Sequence, residues 1–380
     1  VRAAKLTMGT TLMRSVATAN AYLANIALYA GGHGCAELRN RLAGRLGVVV
    51  SAGPSLRKNI AQLATPGVRD RCAIVATQTT LKPLLEAGVR PHFVCALDWH
   101  HISKRFYEGI RAEDVAATTL VLDPQANPII AESWPGPIRV FHADFLQLIL
   151  KHAARDMGRV QTGNTVAHLC YSFARWLGCD PVAMIGQDLG FTDGLYYARG
   201  TAIDEVWSPE LNPFNSVEMM EWQRIMRHRV HLRKVKDQRG RGMYTDAQME
   251  GYLQRFEAMF AADRAAGLRV VDATEGGVAK SGAEAMPLAE ALAQFAPSTK
   301  DGSSDLPSIP VPERRLDPEL LRVAAARVRD VRRDVIAVRE ASEHTATILA
   351  EMLEHQRDAR RMEKLWPRLN RERSVVEARR

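Results

Sequence analysis

Between Leu46 and Ile185, short apolar runs alternate with helically spaced segments, and this alternation constrains the fold more than any other feature of the chain. The runs Leu46–Val50, Ala73–Ala76, His92–Leu97, Thr119–Leu122, Ile138–Phe141 and Pro181–Ile185 read as strands. Between them Leu81–Ala87, Ile102–Ile110 and Thr165–Leu177 read as helices. A strand apolar at every position is buried on both faces, which a parallel sheet covered by crossover helices provides. The expected class is α/β, a Rossmann-like, mostly parallel sheet with helical additions.

Outside this region the pattern changes. Residues 1–34 read as a helical lead-in that stops at Gly31 and Gly32, and the sheet domain is expected over 35–200. From Ser216 long helical segments follow, Val217–Val235 and Asp246–Ala266, then a strand Leu268–Val271 and a helix Leu288–Phe295. Residues 201–297 are thus expected to form a mostly helical cap that completes the active site. The Pro-, Ser- and Gly-rich stretch 298–312 reads as a linker. Residues 313–380 read as a C-terminal helical arm, with Leu321, Ala324, Val328, Val331, Val335, Val338, Leu349 and Met352 on a seam for a helical partner or self-association.

Charge and composition exclude more than they select. The net charge is +8, but 313–380 alone holds 17 Lys and Arg against 13 Asp and Glu, so half of the excess lies in the arm. Anion binding in the sheet domain must then rest on loops and helix N-termini. Aromatic residues make up only 6% of the chain, which argues against a reader of single-stranded nucleic acid. Cys35, Cys72, Cys95, Cys170 and Cys179 form no CxxC pair and sit in or beside apolar runs, as reduced buried thiols of a cytoplasmic protein do. No run reaches the ~18 apolar residues of a membrane span. The chain starts at Val1, and its natural N-terminus is expected to lie upstream.

In open parallel sheets ligands bind outside the carboxyl ends of the strands. In SAGPSLRKN, Gly53, Pro54 and Ser55 form either a structural turn or an anion-binding turn. Asp98 ends a strand in ALDWHH, where it can hold a ribose, act as a base or cap a helix. Gly163, Asn164 and Thr165 lead into a helix and can add donors to a nucleotide. IGQDLGFTDG brings Gln187, Asp188 and Asp193 to one strand end, more polar chemistry than a turn requires, and these are the expected catalytic residues. DATEGGVAKSG, with Glu275, Gly276 and Gly277, reads either as a turn or as a loop closing over the substrate.

These segments, in this order, resemble the motility-associated factor (Maf) family of flagellin glycosyltransferases, whose core domain is shared with archaeal 6-hydroxymethylpterin diphosphokinases of the MptE-like type. SAGPSLRKN is similar to the family's GxGPSL-x-x-N, VRPHFVCALD to its strand ending in Asp, EGGVAKSG to its EGG-x-x-x-x-G, and IGQDLGFTDG to its GQDLA-(Y/F)-T-DG, the most specific of the four. Ser51, His92 and the TGN turn (Thr162 to Asn164) depart from the family pattern, the first and third at the expected nucleotide cradle.

The resemblance implies a sheet similar to that of bacterial sialyltransferases. It further implies transfer of a nonulosonic acid, pseudaminic or legionaminic, from a CMP-sugar donor to Ser or Thr of flagellin. Gly53, Pro54, Ser55 and the Gly163 to Thr165 turn would then surround the nucleotide, Asp98 would hold its ribose or cytosine side, and Asp188, Gln187 and Asp193 would do the acid–base or sugar-binding work. The alternatives are pyrophosphoryl transfer from ATP to a hydroxymethylpterin, with Mg²⁺ on Asp98, Asp188 and Asp193, and a non-catalytic nucleotide-binding scaffold. No Asp-x-Asp occurs, so a divalent ion chelated by that motif is not implied, and Mg²⁺ enters only under the first alternative.

Overall fold

Nine parallel strands form the sheet of this computed structural model, which describes residues 15–227, 229–297 and 306–379. They are β1 (His33–Gly34), β2 (Gly47–Val50), β3 (Ala73–Thr77), β4 (Phe93–Ala96), β5 (Thr119–Leu122), β6 (Ile138–Val140), β7 (Val182–Ile185), β10 (Val270–Asp272) and β11 (Glu284–Ala285). β8 (Leu232–Lys236) and β9 (Gly242–Asp246) form a separate antiparallel hairpin. The sheet order is β1-β6-β5-β4-β3-β2-β7-β10-β11.

Every residue of β2, β3, β4, β5 and β7 is buried, as strands covered on both faces require. The helix Val166–Trp176 covers the centre of one face, where Phe173 meets Phe93 edge-on at 4.9 Å between ring centroids. All five cysteines are free and buried, and burial pushes the Cys35, Cys72 and Cys179 thiols up to about 12.

The structure corrects the sequence reading in four places. The helix expected over Val217–Val235 stops at Arg227, and Leu232–Lys236 is β8. In β8 only Leu232 and Val235 are half-buried, three residues apart, while Arg233, Lys234 and Lys236 are exposed, so no period-two pattern marks the strand. The expected helix near Ile102–Ile110 is a short 3-10 turn, His101–Phe106. β1 and β11, two residues each, carry no readable pattern. Of the expected linker, 298–305 lies outside the described residues, as does 1–14 of the lead-in. Its remainder is held in place: Arg139 donates to the Pro310 carbonyl at 3.0 Å, and Leu306 and Ile309 pack against the core.

The chain divides into two compact units, Val1–Ala143 with Asp156–Arg315 and Asp144–Arg155 with Leu316–Arg380. The second includes the helices Pro318–Glu354 and Ala359–Glu377, each started by an aspartate, Asp317 or Asp358, whose side chain accepts backbone N–H groups of the first turn. Within this hairpin Ile348, Met352 and Leu365 form a small core. The buried stripe of the long helix runs through Ala324, Ala341, Ile348 and Met352, while Val335 and Leu349 of the expected seam are exposed. No helix among the described residues is long and apolar enough to cross a membrane.

Candidate active site

From β2 the chain runs outward through β3, β4, β5 and β6, then returns to lay β7 against the free side of β2. The β2–β7 boundary is therefore the switch point of the sheet, where a crevice opens outside the strand ends. SAGPSL leaves β2 and GQDLGFTDG leaves β7 side by side, joined by the Gly53 N–H donating to the Gly186 carbonyl at 2.7 Å.

Asp188 is the centre of this junction. Its carboxylate accepts the Ser55 hydroxyl at 2.6 Å, the Ser55 N–H at 3.2 Å and the Thr192 hydroxyl at 2.5 Å. The chain packs tightly around it. A Cβ on Gly53 would stand 2.1 Å from an Asp188 carboxylate oxygen, and one on Gly277 would stand 2.5 Å from the Asp188 Cα. Glycine is required at both positions by this close approach. Burial pushes the Asp188 carboxyl up, while the bonds from Ser55 and Thr192 and the charge of Lys280 pull it down. Lys280 itself is fully buried and paired with Asp272 at 2.9 Å, so it is a structural cation.

A cavity of about 290 Å³ opens above the switch point. Gly53, Asp98, Asn164, Thr165, Gln187 and Asp188 of the expected site residues border it. None of its lining side chains is Lys or Arg. Its donors to an anion are instead the first turn of the helix Val166–Trp176 and the polar side chains around it, an arrangement suited to a phosphate. Thr165 caps that helix by accepting the His168 N–H. His168 is buried, and its Nε2 donates to the Tyr252 carbonyl at 3.1 Å, which leaves Nδ1 to accept the Thr165 hydroxyl at 2.9 Å. Burial lowers its pKa to about 4, so the imidazole is neutral and fixes the turn that carries Asn164 and Thr165.

Asp98 is held from one side. The buried Tyr107 hydroxyl donates to Gln78 Oε1 at 2.6 Å, and Gln78 Nε2 donates to one carboxylate oxygen of Asp98. Burial pushes the Asp98 carboxyl up, against the bond from Gln78. Gln187 accepts the Ser51 hydroxyl at 2.7 Å through Oε1. Both side chains reach the cavity with one hydrogen-bonding atom not engaged by any other described residue.

The other expected residues lie elsewhere. Pro54 and Ser55 are buried behind the cavity and Gly163 packs against His168. Asp193 pairs with Arg57 and lines a second cavity of about 640 Å³, with Gly276, Gly277, Lys58, Trp222 and Tyr244. Glu275 lies beside it, where its carbonyl accepts Lys58 Nζ at 2.7 Å and its carboxylate accepts the Leu288 N–H at 3.1 Å. A Cβ on Gly190, which lines the first cavity, would stand 2.7 Å from Met243 Cε, which belongs to the second, so one residue separates the two.

Residues 201–297 supply part of both cavities. Gln248, Met249 and Tyr252 of the helix Ala247–Ala265 border the first, and the β8–β9 hairpin borders the second. Sequence reading missed Thr77, the last residue of β3, and Thr79 just after it, although this strand end lies beside the one that carries SAGPSL, and it missed Tyr196 and Tyr197 just beyond GFTDG. Arg224 covers both tyrosines, its guanidinium 4.1 Å from the Tyr196 ring centroid.

Asp98 and Asp188 border the first cavity and Asp193 the second, so the three carboxylates do not share one site. Among the described residues no group of three or more His, Cys, Asp or Glu side chains could hold a metal ion.

This geometry defines a class, the doubly wound α/β proteins with a ligand site at the switch point of a parallel sheet. Residues 20–194 match the family profile of 6-hydroxymethylpterin diphosphokinase MptE-like proteins. Among solved structures it is similar to the MAf glycosyltransferase from Magnetospirillum magneticum AMB-1, with a TM-score of 0.53 at 15% identity over 93% of this chain and 50% of the other. The chain thus spans about half the length of that protein, and the likeness is one of fold. No curated protein matches.

Proposed function

We propose that this protein is a glycosyltransferase that takes a nonulosonic acid of the pseudaminic or legionaminic type from its CMP-activated form and transfers it to Ser or Thr hydroxyls of flagellin. The observation that carries this reading is the switch-point cavity, bordered by a capped helix N-terminus for a phosphate and by Asp98 for a ribose or base. The MptE-like segment and the fold shared with a protein named a MAf glycosyltransferase support it.

In this reading Gly53, Asn164 and Thr165 hold the nucleotide and the first turn of the helix Val166–Trp176 stabilises the departing phosphate. Asp98 holds the ribose, and Gln187 turns its amide to the donor sugar. Asp188 is a positioning residue that fixes SAGPSL through Ser55, because its carboxylate oxygens are engaged internally. Glu275, Gly276, Gly277 and Asp193 form the wall on the acceptor side.

Nucleotide preference tests the reading. Thermal stabilisation by CMP or CDP, lost in Asp98→Ala and Asn164→Ala, is the expected result. Stabilisation by ATP with Mg²⁺ and none by cytidine nucleotides would favour pyrophosphoryl transfer instead.

A further inference from the structure

Two helices border the switch-point cavity with their N-terminal residues and a second concavity with their C-terminal ones. Val166 and Ala167 of the helix Val166–Trp176, and Gln248, Met249 and Tyr252 of the helix Ala247–Ala265, face the first. Tyr171, Arg175 and Trp176 of the one, and Arg255, Met259 and Asp263 of the other, line a separate pocket of about 450 Å³ that Arg39 and Arg159 complete. No part of the proposed transfer reaction uses this pocket.

Four guanidinium groups meet there, and they differ in how they are held. Arg175 is neutralised and fixed: Nε donates to Asp263 at 2.6 Å, and its other nitrogens donate to the Cys179 and Arg269 carbonyls at 2.7 and 2.6 Å. Asp263 also accepts the Tyr171 hydroxyl, so the one carboxylate lining the pocket is spent. Arg39 has its guanidinium 5.4 Å from the Trp176 ring centroid, and neither it nor Arg255 has an acidic partner among the described residues. The pocket is therefore a concave surface with uncompensated, forked positive charge beside an indole face. Guanidinium forks match the oxygen geometry of phosphate, and pairing with an anion relieves like charges gathered at one place.

We infer that this pocket is a second anion site, which binds a phosphate-bearing small molecule through Arg39 and Arg255, with Arg175 and Trp176 as its fixed wall. The site is independent of the proposed transfer reaction. At about 450 Å³ it exceeds a single inorganic phosphate, and a diphosphate or an organic phosphate fits its size and charge.

The test is calorimetric titration of the full chain with pyrophosphate. Saturable binding is expected, weakened about tenfold or more in Arg39→Ala/Arg255→Ala and unchanged in Asn164→Ala, which alters only the switch-point cavity. The Arg39→Lys/Arg255→Lys variant keeps the charge and loses the fork, and it should also bind more weakly. No saturable binding, binding lost in Asn164→Ala and kept in the Arg39→Ala/Arg255→Ala variant, or full affinity in the lysine variant would each overturn the assignment. Unfolding curves of both arginine variants, whose altered side chains are exposed, check that the fold is kept.

Discussion

Asp188 holds Ser55 twice, through the hydroxyl at 2.6 Å and through the backbone N–H at 3.2 Å, and so fastens the loop after β2 to the loop after β7. Removing the carboxylate leaves buried donors unsatisfied, at about 1–3 kcal/mol each. Asp188→Ala should lower unfolding stability by about 2–4 kcal/mol in urea denaturation, more than Ser55→Ala at about 1 kcal/mol. In a double-mutant cycle the two should couple by about 1 kcal/mol or more. Additive losses would show that the contact carries no energy.

Gly53 and Gly277 press against Asp188 from two sides. Gly53→Ala clashes with both the Asp188 carboxylate and the Gly186 carbonyl, since its Cβ would stand 2.1 and 2.4 Å from them. It should destabilise by about 2 kcal/mol or more and weaken cytidine nucleotide binding at least as strongly as Asn164→Ala. Wild-type binding in Gly53→Ala would place the nucleotide elsewhere.

Lys280 and Asp272 form a buried pair, their side chains 0% and 2% exposed. Lys280→Met strands a carboxylate and should cost about 3–5 kcal/mol, while Lys280→Met with Asp272→Leu should recover much of that loss. Urea unfolding of the three proteins measures it. A Lys280→Met variant as stable as wild type would contradict the pairing.

His168 and His92 are buried and neutral, with pKa values lowered by burial to about 4 and about 3. A depressed histidine pKa means that the unfolded chain takes up a proton the folded chain excludes. Stability from these groups is present above the ordinary value of 6.5 and is lost as pH falls from there toward about 4 and about 3. Asp123 acts in the opposite sense: burial raises it from 3.8 to about 6, so its cost grows as pH rises across that interval. Nitrogen-15 NMR of labelled histidine should show His168 as the Nε2–H tautomer, with no titration near 6.5. A midpoint there would mean an exposed ring.

What was legible in the sequence followed from periodicity and from unusual local chemistry. Continuous apolar runs gave the central strands because each is buried on both faces, and Thr119–Leu122 is β5 without adjustment. The strand-end rule located Gly53, Asp98, Asn164, Thr165 and Gln187 beside one cavity. It did not tell which polar groups would be turned inward. Ser55 and Asp188 satisfy each other, and Asp193 turns to Arg57, because partners more than a hundred residues away in the chain decide a side chain's direction. The β8–β9 hairpin was hidden because its strands are largely exposed. Val335 and Leu349 left the seam because the buried stripe of the long helix runs through Ala341 and Ile348.

The most direct test of the central claim is to incubate the protein with CMP-pseudaminic or CMP-legionaminic acid, with and without flagellin, and follow the products by mass spectrometry. CMP release together with a gain of one or more nonulosonic acid masses on flagellin is expected, both lost in Asp98→Ala and Asn164→Ala. Neither CMP release nor a mass shift with either donor, from a protein that binds cytidine nucleotides, would contradict the claim.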